Sequence, residues 1–326
     1  MKALTLVGPS TFEFGEASAP QPGKGEVLIR QTAIGLNYIG TYQRSGLYPL
    51  PALPAVLGME AAGVVEKVGE GVEFLKPGDR VCYVGALGAY AERRVLPESK
   101  VVRLVDTIPD AIAAGIMLKA LTARFLVKYT YMVGPQTTAL IHAAAGGVGT
   151  LLTQWAKHLG AKVIATVGSD EKMEVVKKLG ADFVLNYRTE DVAKKVMEIT
   201  SGKGANVAYD AVGKDTFQST IDSLHELGLF VSYGQASGPI PPVDLSVFRP
   251  KSLYFTRPQL FTFIKDEAEY LASCMDVFDM LIGGHMKPEI GQTYYLKDVA
   301  RAHADLEARR TKGSTVLVVS EEVLRG

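Results

Sequence analysis

The spacing of apolar residues divides the chain into parts with different rhythms. In the first third, short apolar stretches are separated by proline and glycine clusters at residues 19–25 and 48–58. Such punctuation favours hairpins and long loops over strand–helix–strand units. The pattern predicts a small, mostly β domain, with strands at residues 2–7, 26–35, 61–69, 80–85 and 89–96.

From about Thr137, apolar strands alternate with amphipathic helices. The first of these helices has apolar side chains at helical spacing from Val148 to Leu159, and Gly160 follows where a left-handed residue ends a helix. The alternation predicts a doubly wound parallel sheet covered on both faces. Its strands are expected at residues 138–143, 163–167, 183–187, 207–212, 229–233 and 253–256, and its later helices at 170–179, 190–200 and 216–227.

The rhythm changes again after Pro258. Helices are predicted at residues 266–282 and 297–308, and a strand at 315–319. Because these elements do not extend the alternation, they are candidates for a return to the first domain, which would make that domain discontinuous.

Composition narrows the functional classes. The 326 residues suit two domains, and Lys plus Arg equals Asp plus Glu at 35 each, so no basic excess favours nucleic acid. Cys82 and Cys274 form no CxxC motif, which argues against a disulfide framework or a cysteine-rich metal site. No signal-peptide core and no apolar run of about 18 residues is present, so we expect a cytoplasmic protein without a membrane span.

A glycine-rich turn follows the strand at residues 138–143. Ala144, Gly146 and Gly149 occupy the three key positions of a G-x-G-x-x-G motif, with alanine first. The preceding strand and following helix are the context in which this motif binds a dinucleotide, with the pyrophosphate at the helix N-terminus. The alternative is a turn tightened by glycines alone. The expected contacts are Ala145, Gly146, Gly147 and Val148.

The end of the next strand indicates which nicotinamide cofactor is bound. An NAD enzyme usually has an acidic residue there for the ribose hydroxyl, whereas this chain has Val167. Asp170 is a rival candidate, but a first-turn helix position explains it better. We therefore expect NADPH, with its 2′-phosphate near Gly168, Ser169, Lys172, Tyr187 and Arg188, although Lys172 also fits a solvated helix charge.

Four segments carry a family resemblance: residues 36–72, 142–172, 232–238 and 312–319. They resemble the quinone oxidoreductase, or zeta-crystallin-like, branch of the medium-chain dehydrogenase/reductase superfamily. The resemblance implies an α/β chain with a GroES-like, mostly β catalytic domain at 1–120 and 262–326. A Rossmann domain for NADPH, residues 121–261, is inserted in it, with the active site in the cleft between them. It also implies a homodimer that pairs through the last strand of the Rossmann sheet.

Zinc dehydrogenases of this superfamily hold catalytic zinc with two cysteines and a histidine. The resemblance places Asn37, Met59 and Lys119 at those positions. An amide, a thioether and a protonated amine make poor zinc ligands, so a zinc-free enzyme is expected.

The resemblance also assigns roles to single residues. Asn37, Tyr42 and Tyr48 would be catalytic, and Asn37 would also bind the nicotinamide ribose of the cofactor or the substrate oxygen. The two tyrosines could equally serve only as packing, and Lys119 could stabilise developing charge or be a structural partner. Gly40 stands where many relatives have aspartate, and Arg257 and Pro258 would border the cleft. Further cofactor contacts would be Thr122, Tyr233, Gly234, Gln235, Ser237, Gly313 and Ser314.

Three functions follow as hypotheses. The first is zinc-independent reduction of quinones by NADPH. The second is reduction of α,β-unsaturated carbonyl compounds, which needs the same cofactor geometry and a different pocket. The third is a non-catalytic NADPH-binding structural protein, as in lens crystallins of the same branch.

Overall fold

The computed structural model describes residues 1–319, which form two compact units. The first unit comprises Met1–Leu118, Asp266–Ile282 and the described chain from Pro288 onward. The second comprises Lys119–Lys265 and Gly283–Lys287. Residues 320–326, the end of the predicted first domain, lie outside the described residues.

The first unit is built mainly from β-strands, as its hydrophobic pattern predicts. Its larger sheet has the order β15-β16-β3-β5-β6-β8, with β7 also paired to β3, and its smaller sheet has the order β2-β1-β4. The strands are β1 (Lys2–Gly8), β2 (Thr11–Glu16), β3 (Glu26–Leu36), β4 (Ala55–Val56), β5 (Glu60–Val68), β6 (Arg80–Val84), β7 (Arg93–Pro97), β8 (Val102–Arg103), β15 (Ile290–Tyr295) and β16 (Ser314–Val318). Strand β16 is antiparallel to β3, so a late segment completes a sheet begun near the N-terminus.

Helices of the first unit are α1 (Tyr38–Arg44), α8 (Glu267–Ile282) and α9 (Val299–Glu307), together with the first half of α2 (Asp110–Phe125). Strands β3, β5 and β6 and helix α9 enclose one apolar core, which includes Ile29, Ile34, Val65 and Val299. Burial of each such side chain contributes about 1.5–3 kcal/mol relative to exposure.

The second unit contains a parallel sheet of six strands in the order β11-β10-β9-β12-β13-β14. This is the strand order of a doubly wound dinucleotide-binding sheet, and it confirms the predicted fold class. The strands are β9 (Thr138–Ile141), β10 (Lys162–Val167), β11 (Phe183–Asn186), β12 (Ala205–Asp210), β13 (Leu224–Ser232) and β14 (Tyr254–Thr256). The helices are α3 (Gly147–His158), α4 (Asp170–Lys178), α5 (Val192–Ile199), α6 (Phe217–Ser223) and α7 (Leu260–Phe263).

The helix predicted at 216–227 is too long. Helix α6 ends at Ser223, because Leu224 starts β13 and pairs with Ala205 while its side chain enters the core. Leu227, which the prediction places at the end of the helix, has a φ of 61° and is 63% exposed.

The strand predicted at 89–96 is also displaced, since β7 covers Arg93–Pro97. The side-chain amide of Gln31 donates to the carbonyl oxygens of Ala89 and Ala91. These carbonyls are therefore occupied by a side chain, and residues 89–92 form only an isolated bridge between Ala91 and Ala3.

Helix α2 was not predicted. Its residues are buried on nearly every side, from Ala113 to Phe125, so no polar face marks a helical period. Five further residues, Leu126–Thr130, continue it as a π-helix. Among the described residues, no helix combines the length and apolar character needed to cross a membrane.

Candidate functional site

The glycine turn lies at the carboxyl end of β9 and leads directly into α3. Gly146 has an extended conformation just before the helix, and its N–H donates to the carbonyl oxygen of Ala143. A side chain at Gly149 would collide with that carbonyl, so this glycine allows the helix to approach the turn closely. At Gly146 only the Ala143 oxygen, at 3.2 Å, is near the missing side chain.

This arrangement suits a pyrophosphate. Ala145, Gly146, Gly147 and Val148 form the last part of the turn and the first residues of α3. The first N–H groups of a helix lack intrahelical partners and carry the positive end of the helix dipole. The described geometry therefore offers an anion site at the end of the first parallel strand.

The predicted 2′-phosphate residues gather at the neighbouring strand ends. Val167 ends β10 beside Asn186, the last residue of β11. Gly168 follows, and a Cβ there would come within 2.5 Å of the Tyr187 hydroxyl, so the tyrosine ring lies against the glycine backbone. Ser169 is the N-cap residue of α4, and its side chain makes no capping hydrogen bond to the helix. Lys172 lies in the first turn of α4, and Arg188 is exposed next to Tyr187.

Asp170 has a structural partner. Its carboxylate accepts a hydrogen bond of 2.7 Å from the side-chain amide of Asn186. The side-chain oxygen of Asn186 accepts a hydrogen bond from the backbone N–H of Arg188. Asp170 thus fixes the turn after β11, which favours its interpretation as a first-turn helix residue over that of a ribose ligand.

The residues predicted to contact the nicotinamide side of the cofactor follow strand β13. Tyr233 and Gly234 both donate their N–H groups to the carbonyl oxygen of Asp210, and a side chain at Gly234 would come within 2.8 Å of the Ala211 oxygen. Gln235 is buried, and its side-chain oxygen accepts from the Arg257 guanidinium at 2.7 Å. Burial, reinforced by the Asp210 carboxylate, raises the pKa of the Tyr233 phenol.

Ser237 is engaged within the protein. Its hydroxyl donates to the Val212 carbonyl at 2.8 Å and accepts from the Asp215 N–H at 3.0 Å. These bonds connect the segment after β13 to the loop after β12. The structure therefore gives Ser237 a loop-fixing contact alongside the cofactor contact that the resemblance implies.

Two buried polar residues beneath these loops were missed by the sequence reasoning. Asp210 ends β12, and its carboxylate accepts from the N–H groups of Val212 and Gly213 and from the Thr216 hydroxyl. His142 contacts the hydroxyls of Thr166 and Thr220, and burial lowers its pKa. Since Thr220 donates to the Thr216 carbonyl, it accepts from Nε2–H of a neutral His142. A charged or polar residue in an apolar strand is the signal that marks such networks.

Within the first unit, Asn37 is held by a buried carboxylate. Asn37 immediately precedes α1, and its amide nitrogen donates to Glu60 Oε1 at 2.7 Å. The second oxygen, Glu60 Oε2, accepts from the Leu118 N–H at 2.7 Å. Glu60 is completely buried and a Cβ on Gly35 would collide with its carboxylate, so Asn37, Glu60 and Gly35 form one fitted arrangement. The sequence reasoning did not identify Glu60.

Asn37 also lines a narrow crevice of the first unit. The other residues around it are Gly35, Ile39, Gly40, Gln43, Gly58, Met59 and Tyr90. Tyr42 and Tyr48 are half-buried nearby in the chain, with ring centres 5.1 Å apart, and Tyr38 extends the row with its ring 5.3 Å from that of Tyr42.

Gly40 lies against a buried tyrosine–histidine pair. The Tyr90 hydroxyl is 3.0 Å from His303 Nε2, and a Cβ on Gly40 would come within 3.3 Å of both side chains. Burial, with the Arg44 charge as a smaller cause, lowers the pKa of His303 to about 3. Thus a neutral imidazole occupies the space beside the position where the resemblance expects aspartate.

The remaining predicted site residues lie on helix α2 and at the start of strand β16. Lys119 and Thr122 are buried one turn apart on α2, in the second unit. Gly313 has a φ of 56°, and Ser314 begins β16, buried, with its N–H donating to the Glu289 carbonyl. The structure thus places Gly313 and Ser314 with Asn37 in the first unit and the other cofactor candidates in the second.

The zinc-position residues do not fit a zinc ion. The Asn37 amide presents hydrogen atoms to Glu60, and Met59 contributes a thioether that accepts from Gln43 Nε2 at 3.7 Å. In the part of the chain that the structure describes, no three His, Cys, Asp or Glu side chains are arranged to hold a metal.

Comparison with known proteins agrees with this geometry. The model of the alcohol dehydrogenase GroES-like domain matches residues 23–107, and that of the zinc-binding dehydrogenase matches residues 147–275. The chain is 47% identical to the quinone oxidoreductase of Pseudomonas aeruginosa, over 95% of this chain and 96% of that protein. It is 42% identical to the 2-haloacrylate reductase of a Burkholderia species, over 95% and 96% respectively.

A solved structure is similarly close. The Escherichia coli quinone oxidoreductase complexed with NADPH has a TM-score of 0.94 and 43% identity, covering 98% of this chain and 100% of that one. The strand order, the glycine turn and these similarities lead to one conclusion: the chain belongs to the quinone oxidoreductase branch of the medium-chain dehydrogenase/reductase superfamily.

Proposed function

We propose that the protein is an NADPH-dependent quinone oxidoreductase. The observation that carries the proposal is the edge of the parallel sheet, where the glycine turn after β9 is followed by a non-acidic end of β10 with Tyr187 lying on Gly168. The relatives named quinone oxidoreductase and the solved complex with NADPH support the same conclusion.

NADPH is bound by the second unit in this proposal. The N-terminus of α3 stabilises the pyrophosphate, while Lys172 and Arg188 supply the positive charge for the 2′-phosphate. Val167 neither bonds nor repels that phosphate, in contrast to the acid of an NAD enzyme. Tyr233, Gly234 and Gln235 contact the nicotinamide side.

The bound nicotinamide supplies a hydride, and the protein supplies orientation and exclusion of water. Asn37 orients cofactor or substrate, and Glu60 fixes the Asn37 amide by accepting one of its hydrogens. Tyr42 and Tyr48 bind the quinone oxygen. A hydroquinone anion takes its proton from solvent as readily as from a side chain, so neither phenol has to be an obligate acid.

We also propose that the reaction is independent of zinc, because Asn37, Met59 and Lys119 make a poor ligand set. The test is activity after exhaustive dialysis against EDTA. Full activity is expected, whereas a loss restored by added zinc would contradict the proposal.

A substrate panel tests the main proposal. NADPH oxidation is measured with 1,4-benzoquinone, with 9,10-phenanthrenequinone and with an enone, each at several concentrations. We expect the larger kcat/KM for the quinones. A larger kcat/KM for the enone favours the second candidate, reduction of activated alkenes, and no turnover with any of them favours a non-catalytic binding protein.

The second candidate has an observation of its own. The Burkholderia relative is named for an acrylate, in which an alkene is conjugated to a carboxyl group. Reduction of such an alkene ends with protonation at carbon and therefore depends on a placed donor more than quinone reduction does. Tyr42 and Tyr48 are the candidates for that donor.

We propose a cytoplasmic homodimer that pairs through β14. This strand is the edge of the six-stranded sheet, and Tyr254 and Phe255 are 62% and 44% exposed. An exposed edge with aromatic side chains can pair with its symmetry copy and continue the sheet. The first unit, with Asn37, would serve as the catalytic domain and the second as the cofactor domain.

A further inference from the structure

Two histidines of the second unit face each other at the surface, away from the strand ends. His158 is the last residue of α3, and His285 lies in the segment Gly283–Lys287. Their ring centres are 4.2 Å apart and their planes are inclined by 37°. Both are exposed, and within residues 1–319 neither imidazole makes a hydrogen bond or ion pair.

The segment that carries His285 is held on the same helix. The N–H of Lys287 donates to the side-chain oxygen of Gln154 at 2.8 Å, and Met286 is 2% exposed. Gln154 and His158 are four residues apart and therefore share a face of α3. This hydrogen bond to α3, together with the buried side chain of Met286, fixes the segment that carries His285 before any ligand arrives.

We propose that His158 and His285 form a bidentate site for a divalent transition-metal ion. Imidazole is a favoured ligand of copper, nickel and zinc, and copper(II) binds most tightly in the order of divalent affinities. Metal–nitrogen bonds of about 2.0–2.1 Å place two ligand nitrogens about 3 Å apart, which rings with centres 4.2 Å apart can satisfy. Water molecules complete the coordination.

The site is separate from the proposed hydride transfer. His158 is at the C-terminal end of α3, whereas the glycine turn is at the N-terminal end of the same twelve-residue helix. At 1.5 Å per residue these ends are about 17 Å apart. The bound metal joins the segment Gly283–Lys287 to α3 and so stabilises the second unit, because binding to the folded state alone raises the unfolding temperature.

The test uses the full chain without an affinity tag, stripped with EDTA and transferred to chelator-free buffer. Copper(II) is titrated calorimetrically into the wild type, His158→Gln, His285→Gln and the double variant, with magnesium as the metal control. His225→Gln is the control variant, because His225 is a partly exposed histidine of β13 in the second unit. Unfolding temperatures with and without copper(II), and electron paramagnetic resonance of the copper(II) form, complete the experiment.

We expect one tightly bound copper(II) per chain, with a spectrum showing two equatorial nitrogens and a raised unfolding temperature. Each single substitution should weaken binding at least about tenfold, because the chelate loses one of its two protein bonds. The double variant keeps neither imidazole and should bind most weakly, but its loss of binding free energy should be smaller than the sum of the two single losses, because each single substitution already removes the chelate. Equal affinity in wild type and single variants, or independent additive losses, would overturn the proposal.

Discussion

The Tyr187 hydroxyl lies over Gly168, at the point where the first atom of any side chain would come within 2.5 Å of it. Two strand ends are thereby joined, because Gly168 follows β10 and Tyr187 follows β11. The absence of a side chain at Gly168 determines where the phenol lies, and the phenol is part of the proposed 2′-phosphate site.

Gly168→Ala should therefore weaken NADPH binding while leaving NADH binding nearly unchanged. The methyl group displaces the phenol, and the lost hydrogen bond to a charged phosphate is worth roughly 1.5–3 kcal/mol. Fluorescence titration with both cofactors measures the difference. Tyr187→Phe is the companion variant, since it removes the hydroxyl alone and should give a comparable loss of NADPH affinity. Unchanged NADPH affinity in both variants would show that Tyr187 is not part of the site.

The wild-type protein should prefer NADPH to NADH, and Lys172→Ala should reduce that preference. Loss of a hydrogen bond to the phosphate costs roughly 1–3 kcal/mol. Lys178→Ala is the control, because Lys178 is an exposed lysine in the last turn of the same helix. Equal wild-type affinity for the two cofactors, or equal effects of the two substitutions, would contradict the assignment.

Asn37→Ala should lower kcat/KM for quinone reduction more than either tyrosine substitution. Displacement of a reactant by roughly an ångström costs about 10²-fold, and Asn37→Ala also leaves the buried Glu60 carboxylate without one donor. Tyr42→Phe and Tyr48→Phe should retain measurable activity, because an obligate acid would contribute typically 10²- to 10⁴-fold. Steady-state kinetics with one fixed quinone compares the three.

The opposite ranking would change the proposed reaction. If one Tyr→Phe variant were inactive while Asn37→Ala kept its activity, that tyrosine would be the proton donor. Reduction of an activated alkene would then be the better interpretation.

The parallel sheet could be predicted from the sequence, whereas helix α2 could not. The alternation of apolar strands and helices after Thr137, and the glycines of one short turn, are local signals, and local signals were sufficient for the parallel sheet. Helix α2 was not predicted, because its residues are buried on nearly every side and no polar face indicates a helical period.

The contacts around Asn37 depend on residues distant in sequence. Its partner Glu60 is on another strand, and Gly40 meets His303, which returns from the far end of the described chain. No spacing rule connects such positions. An acidic residue at the start of an apolar strand was the only sequence signal, and it shows that a partner is needed without naming it.

His303 should make the protein less stable in acid. Its pKa is about 3 in the fold against 6.5 for an ordinary histidine, so below pH 6.5 the unfolded chain binds a proton that the folded chain refuses. The free energy of unfolding therefore falls as the pH drops from 6.5 toward 3, by up to about 1.4 kcal/mol per pH unit. His142, whose pKa is also lowered, contributes in the same direction.

Urea unfolding at several pH values between 7.5 and 5 tests this expectation. His303→Gln should flatten the pH dependence, although the loss of the Tyr90 contact lowers stability near neutral pH. The same slope in wild type and His303→Gln would show that the imidazole accepts a proton inside the fold.

The proposed dimer predicts the effect of a charge on the edge of the parallel sheet. Tyr254→Asp should convert a two-chain species into a single chain, because two like charges would face each other across the symmetry axis. Light scattering at micromolar concentration gives the masses. Leu227→Asp, at an equally exposed position of the second unit, is the control; a single-chain mass for the wild type would rule the dimer out.

The position of β16 between β15 and β3 affects how the protein is made. Synthesis delivers β3 early, then the complete second unit, and β16 only afterwards. During translation at about 5–20 residues per second, the second unit can fold while β3 still has an unpaired edge for many seconds. An open strand edge is a template for association with another chain, so the nascent first unit exposes such an edge until β16 has been synthesised.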